Sequence, residues 1–86
     1  MNKKDFQKAR VHSPVAPGEA LKIIRELQEL SQNNLAELTG INQSNISAIE
    51  NGSRQIGRDT AITFARALKV HPSVILFSDY EIDKAA

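Results

Sequence analysis

From residue 18 onward, apolar side chains return every three or four positions. Ala20, Ile24 and Leu27, with Leu21, Ile23 and Leu30 beside them, trace one face of a helix, and the spacing predicts that helix over about residues 18–29 with this face buried. Ser31 is suited to cap a second helix running Gln32 to Thr39, and Gly40 supplies the left-handed residue that ends it. Asn42 caps a third, on which Ile46 and Ile49 share a face and which Asn51-Gly52 stops. After a loop from Ser53 to Gly57, Ala61, Ile62, Ala65 and Leu68 mark a fourth helix. Pro72, at a first helical position, opens a short fifth helix carrying Val74, Ile75, Leu76 and Phe77. No segment alternates as a strand does, so the expected fold is all-α, built of five short helices. Upstream, Pro14 and Pro17 hold Ser13 and Ala16 extended. The expected division is an arm over residues 1–16, a helical domain over 17–77 and a tail over 78–86.

The second and third helices are joined by three residues, Gly40-Ile41-Asn42, the spacing of a helix-turn-helix unit. Ala36 is small enough for the close crossing of the two helices, Ile41, Ile46 and Ile49 fill the angle between them, and Leu35 and Leu38 are expected to face the first or fourth helix. The polar positions say more. Between Ser31 and Ile49 the only charged side chain is Glu37, the rest being amides and hydroxyls. Exposed helices ordinarily carry Lys and Glu, whereas Gln and Asn can pair bidentately with adenine and Ser can donate or accept at a base edge. Gln43, Ser44, Asn45 and Ser47 therefore become candidates for reading bases at the start and outer side of the third helix; the competing reading is an ordinary polar surface. Gln32 and Asn33 at the start of the second helix, Asn42 at the start of the third, and Asn51, Ser53, Arg54 and Arg58 after it are candidates for backbone phosphates. Arg58 could equally pair with Asp59 or Glu50.

Composition narrows the alternatives. Eighty-six residues allow one domain, and 41% apolar with 24% charged residues is a globular balance. No cysteine is present, and two histidines cannot complete a structural zinc shell, so no disulfide, metal or other cofactor is expected. His71 sits where a helix cap would be, His12 lies in the arm, and Asp79, Glu81 and Asp83 lack the glycine and distant glutamate of a calcium loop. The two histidines are isolated in sequence and the serines fall at caps and exposed helix positions where structural roles suffice, which argues against an enzyme. No apolar run is long enough for a membrane span and the start has no apolar signal core, so a cytoplasmic protein is expected. The overall charge of +1 is polarised. Lys3, Lys4, Lys8 and Arg10 against Asp5 give the arm +3, residues 17–77 are neutral, and the tail carries −2. Four consecutive apolar residues in a two-turn fifth helix cannot all enter one small core. Val74 or Phe77, with Tyr80 and Ile82, is expected to form an isologous homodimer contact that suits a palindromic site.

Ser31-Gln32-Asn33-Asn34-Leu35-Ala36, Gly40-Ile41-Asn42-Gln43-Ser44, Ile46-Ser47 and Glu50-Asn51-Gly52 resemble the helix-turn-helix core of the lambda-repressor-like family, also called the Cro/CI or XRE family. The likeness extends over about residues 18–77. It implies a five-helix fold binding double-stranded DNA, with Gln32 and Asn51 on phosphates, Gln43, Ser44 and Ser47 facing bases, and Ala48 at a position able to touch a thymine methyl. Pro17-Gly18-Glu19, Asp59-Thr60-Ala61 and Ala65-Arg66-Ala67-Leu68 followed by Pro72 are similar to HigA-type antitoxins, which implies a repressor of its own operon that also binds a ribonuclease toxin. The chain departs from that group in Glu50 and in having no tryptophan in the fifth helix. A phage or plasmid-type repressor without a toxin, and a module whose main ligand is a protein, are the alternatives.

Overall fold

Pro17 begins the first helix because its missing N–H is one the first turn would leave unpaired in any case. The computed structural model describes residues 15–79, within which the helices are α1 (Pro17–Leu27), α2 (Gln32–Thr39), α3 (Gln43–Glu50), α4 (Arg58–Leu68) and α5 (Ser73–Leu76). No strand occurs among the described residues, so the fold is all-α as the periodicity requires. The arm, including Lys3, Lys4, Lys8, Arg10 and His12, and the tail beyond Asp79, including Tyr80, Glu81, Ile82 and Asp83, lie outside the described residues.

The core is formed by Leu21 of α1, Leu35 of α2, Ile46 and Ile49 of α3, Ala61, Phe64, Ala65 and Leu68 of α4, and Ile75 of α5. Phe64 is the largest wholly buried side chain, and α4 turns Phe64 inward while leaving Ile62 only half-buried. Burying a side chain of this size stabilises by about 1.5–3 kcal/mol. The α1 axis packs on α3 and α5, and α2 on α3 and α4.

Three apolar positions, Leu27, Leu38 and Ile23, face the other way from their expected orientation. Leu27 is 77% exposed and Leu38 is 59% exposed. On α1 the inner side is taken by Ala20, Leu21, Ile24 and Arg25, with Arg25 buried against Glu50; just past the helix the Gln28 amide donates to the Leu68 carbonyl at 2.7 Å, and Leu27 and Ile23 are left facing outward. On α2 the inner side is taken by Leu35, Ala36 and Thr39, whose hydroxyl donates to the Leu35 carbonyl at 2.8 Å and accepts the Ile41 N–H at 3.1 Å, so Leu38 is rotated off the core. The first helix also stops short of residue 29, because Glu29 adopts a left-handed φ of 59° and the Leu30 N–H returns to the Arg25 carbonyl. Pro72 stands just before α5 rather than at its first position, and the His71 ring nitrogen accepts the Ser73 N–H at 3.1 Å.

Candidate nucleic-acid interface

The turn between α2 and α3 is built from local hydrogen bonds. Ser31 and Asn34 form a reciprocal capping box at the start of α2, with Asn34 N–H donating to the Ser31 hydroxyl at 2.9 Å and Ser31 N–H to the Asn34 side-chain oxygen at 3.0 Å. Gly40 closes α2 at φ 79°, a left-handed conformation that glycine adopts without steric cost. Asn42 then caps α3: its Oδ1 accepts the Asn45 N–H and the Ser44 hydroxyl, both at 3.0 Å. The Asn42 side-chain oxygen is thereby committed to the cap, and only its amide NH2 is left for a ligand.

Helical spacing divides α3 into three stripes. Gln43, Ser47 and Glu50 follow one line on the side of α1 and α2, Asn45 and Ile49 follow another, and Ser44 and Ala48 lie between. Gln43 and Ser44 are exposed, and Asn45, Ser47 and Ala48 are half-buried. Arg54 is strapped to the second stripe, its backbone N–H donating to the Ala48 carbonyl at 3.1 Å and its guanidinium to Asn45 Oδ1 at 2.9 Å. Beyond α3, Asn51 Oδ1 accepts the Ser53 N–H at 2.9 Å and the Ser53 hydroxyl at 2.6 Å, a side-chain-closed turn in which Gly52 takes φ 88°. Asn33 is exposed at the start of α2, and Arg58 is exposed as the first residue of α4.

Behind this face lies an ion pair. Arg25 donates to both carboxylate oxygens of Glu50, Nε to Oε2 at 2.7 Å and Nη2 to Oε1 at 2.9 Å, and Nη1 donates to the Leu30 carbonyl at 2.7 Å. Glu50 therefore pairs with Arg25 rather than with Arg58. Burial pushes the Glu50 carboxyl up, but hydrogen bonds from Arg25 and Gln32 and the charges of Arg25 and Lys22 together outweigh it and hold the group below its ordinary range. The hydrogen bond to Glu50 raises the Arg25 pKa against the opposing effect of burial. Gln32 carries the arrangement outward: its Nε2 donates to Glu50 Oε1 at 3.0 Å, and its Oε1 accepts from Gln43 Nε2. A carboxylate can only accept, so Gln32 must turn its NH2 inward and its oxygen outward, which in turn fixes the Gln43 amide with one N–H spent and its oxygen available. Sequence reasoning passed over Arg25; its place four residues from Leu21 on the same helix face is the one signal that could have found it, and its partner lies twenty-five residues away with no local trace.

Away from this face, Val74 is 45% exposed and Phe77 is 61% exposed, while Ile75 between them is buried. Asp79 is exposed at the end of the described chain.

Comparison with known proteins gives the same outline. Over residues 21–75 the chain matches a family model described as helix-turn-helix. It is 41% identical over 54 residues to the HTH-type transcriptional repressor RghR of Bacillus subtilis, and this match spans 40% of that protein's length. Among solved structures it resembles the restriction-modification controller protein C.AhdI from Aeromonas hydrophila, with a TM-score of 0.66 and 30% identity, covering 69% of this chain and 89% of that one. A putative antidote protein of a plasmid maintenance system from Nostoc punctiforme is similar at a TM-score of 0.66 and 32% identity, covering 77% of this chain and 72% of that one. With five helices in this order, a three-residue turn between α2 and α3 and these matches, the chain belongs to the lambda-repressor-like helix-turn-helix family.

Proposed function

We propose that this protein is a sequence-specific transcriptional repressor that inserts α3 into the major groove of a palindromic operator as a homodimer in the cytoplasm. The observation that carries the reading is the outer face of α3, where Gln43, Ser44, Asn45, Ser47 and Ala48 offer amides, hydroxyls and a methyl without one charged side chain. To Gln32, Asn33, Asn42, Asn51, Ser53, Arg54 and Arg58 we assign the phosphate contacts that set its orientation. Residues 17–77 act as the DNA-binding domain, with Val74 and Phe77, joined by Tyr80 and Ile82, holding the second copy. That copy places the partner's recognition helix about one DNA turn away, roughly 34–36 Å.

Within this function the chain acts as the autoregulatory antitoxin of a type II, HigBA-like toxin-antitoxin operon, with a ribonuclease toxin as its protein partner. The likeness to the Nostoc antidote protein supports this. The identity to the repressor RghR favours a second reading, a repressor with no toxin. Footprinting the protein on the DNA upstream of its own reading frame tests autoregulation: two protected half-sites one turn apart are expected, and an unprotected upstream region would overturn it. Co-purification with the product of an adjacent small basic reading frame separates the antitoxin from the plain repressor.

A further inference from the structure

Lys22 sits on α1 between two residues that fasten α1 to the end of α3. Gly18, four positions earlier, lies so close to Ile49 that a Cβ built on it would stand 1.9 Å from the Ile49 carbonyl oxygen, and Arg25, three positions later, holds Glu50. Residues three and four apart share a helix face, so the Lys22 side chain leaves α1 on the side of the α3 C-terminus. There it lines a shallow cleft of about 200 Å³ together with Gln32, Ser47, Glu50 and Asn51. The Glu50 charge in that cleft is cancelled by the two-pronged contact from Arg25. No carboxylate forms an ion pair with Lys22 among the described residues. What remains is one ammonium in a cleft shared with the Ser47 hydroxyl and with the Asn51 amide, whose oxygen is taken by Ser53 and whose NH2 is left to donate, a donor set that suits a phosphodiester oxygen.

The geometry points to Lys22 as a phosphate-binding residue contributed by α1, gripping the DNA strand that passes the Gln43–Ser47 side of α3. Arg54 stands on the opposite, Asn45 side, so the two cations straddle the Ser44–Ala48 stripe and clamp the two backbones bordering the groove. This contact rests on the DNA-binding reading above.

Its test is the salt dependence of binding, measured for the full chain, Lys22→Gln and Lys22→Arg on a duplex of random sequence and on one selected by the wild-type protein from a random pool. Loss of one phosphate contact should lower the magnitude of the log K against log salt slope by about 0.9 per bound protomer in Lys22→Gln, equally on both duplexes, with Lys22→Arg retaining the slope. Because Lys22 is exposed, the thermal midpoints should coincide, which separates a lost contact from a lost fold. An unchanged slope in Lys22→Gln, with wild-type binding intact, would overturn the Lys22 contact alone. Failure of the wild-type chain to bind either duplex would overturn the DNA reading and the contact with it.

Discussion

Replacing Glu50 by Gln preserves shape and removes one charge, and the structure gives this change an unusually large expected effect. Arg25 and Glu50 are 7% and 9% exposed, so the guanidinium left behind cannot be rehydrated without opening the α1–α3 contact. Removing one member of a buried, hydrogen-bonded pair costs about 3–5 kcal/mol. Domains hold only about 0.05–0.15 kcal/mol of stability per residue, so this is a large share of the total. At roughly 4–8 °C per kcal/mol for a chain of this size, the midpoint should fall by more than about 12 °C. Urea unfolding followed by circular dichroism, run as a double-mutant cycle with Arg25→Met, measures the coupling directly. The double variant Arg25→Met/Glu50→Leu should regain most of the loss, since a well-packed apolar pair often replaces a buried ion pair at no net cost. A coupling below about 0.5 kcal/mol, with the single losses simply adding, would refute the reasoning.

The same pair fixes the direction of the acid response. The Glu50 pKa is lower in the folded than in the unfolded chain, so its contribution is complete above the ordinary carboxylate pKa of about 4.3 and is lost as pH falls through the depressed folded value. Glu50→Gln cannot show this part of the acid limb. If wild type and variant lose stability in parallel below that pH, the pair is not what titrates.

Gly18→Ala should destabilise, although alanine in a helix ordinarily gains about 1 kcal/mol over glycine; the clash with the Ile49 carbonyl reverses the sign, and a net loss of about 1–2 kcal/mol in chemical denaturation is expected. A gain in stability would show that α1 slides freely on α3. Gln43→Ala should relax base preference by about 1–3 kcal/mol in competition binding, whereas equal losses on selected and random duplexes would remove its reading role. Arg54→Ala should weaken all sequences alike and leave the preference unchanged. Sedimentation at tens of micromolar should find a dimer that Phe77→Asp dissociates, and a wild-type monomer both free and on DNA would reject the Val74–Phe77 contact.

What could be read from the sequence was what local chemistry decides. Ser31, Gly40 and Asn42 act on backbone groups within three or four residues, so caps and turn were visible without knowing the rest of the chain. The inward face of α1 was not, because periodicity counts Arg25 as polar and Leu27 as apolar, while the structure buries the former against a carboxylate from a distant helix and exposes the latter. Glu29 and Lys69 end α1 and α4 at φ 59° and 61° without the glycine or asparagine that would announce a left-handed residue. At the candidate site, residue type alone drew attention to Gln43 and Ser44. The order Arg25, Glu50, Gln32, Gln43 exists only once three helices meet, so no spacing in the chain could have disclosed it.

That order bears on how a nearly neutral domain would hold DNA. In the α2–α3 unit the charged side chains are Glu37 and Glu50, and the second is cancelled from behind by Arg25. Cations at the proposed interface among the described residues are therefore few: Arg54, Arg58 and Lys22. If each neutralises one phosphate, the salt slope is about −2.7 per protomer, shallow beside proteins that make many phosphate contacts. On the proposed function, little affinity for arbitrary DNA follows, and the free energy that such proteins draw from counterion release would have to come from base contacts and from the proposed second copy. Both demands favour a rigid reading face. A Gln43 amide already oriented by Gln32 gives up less conformational freedom on meeting adenine than a free side chain would, so rigidity behind α3 compensates for the charge that its surface lacks.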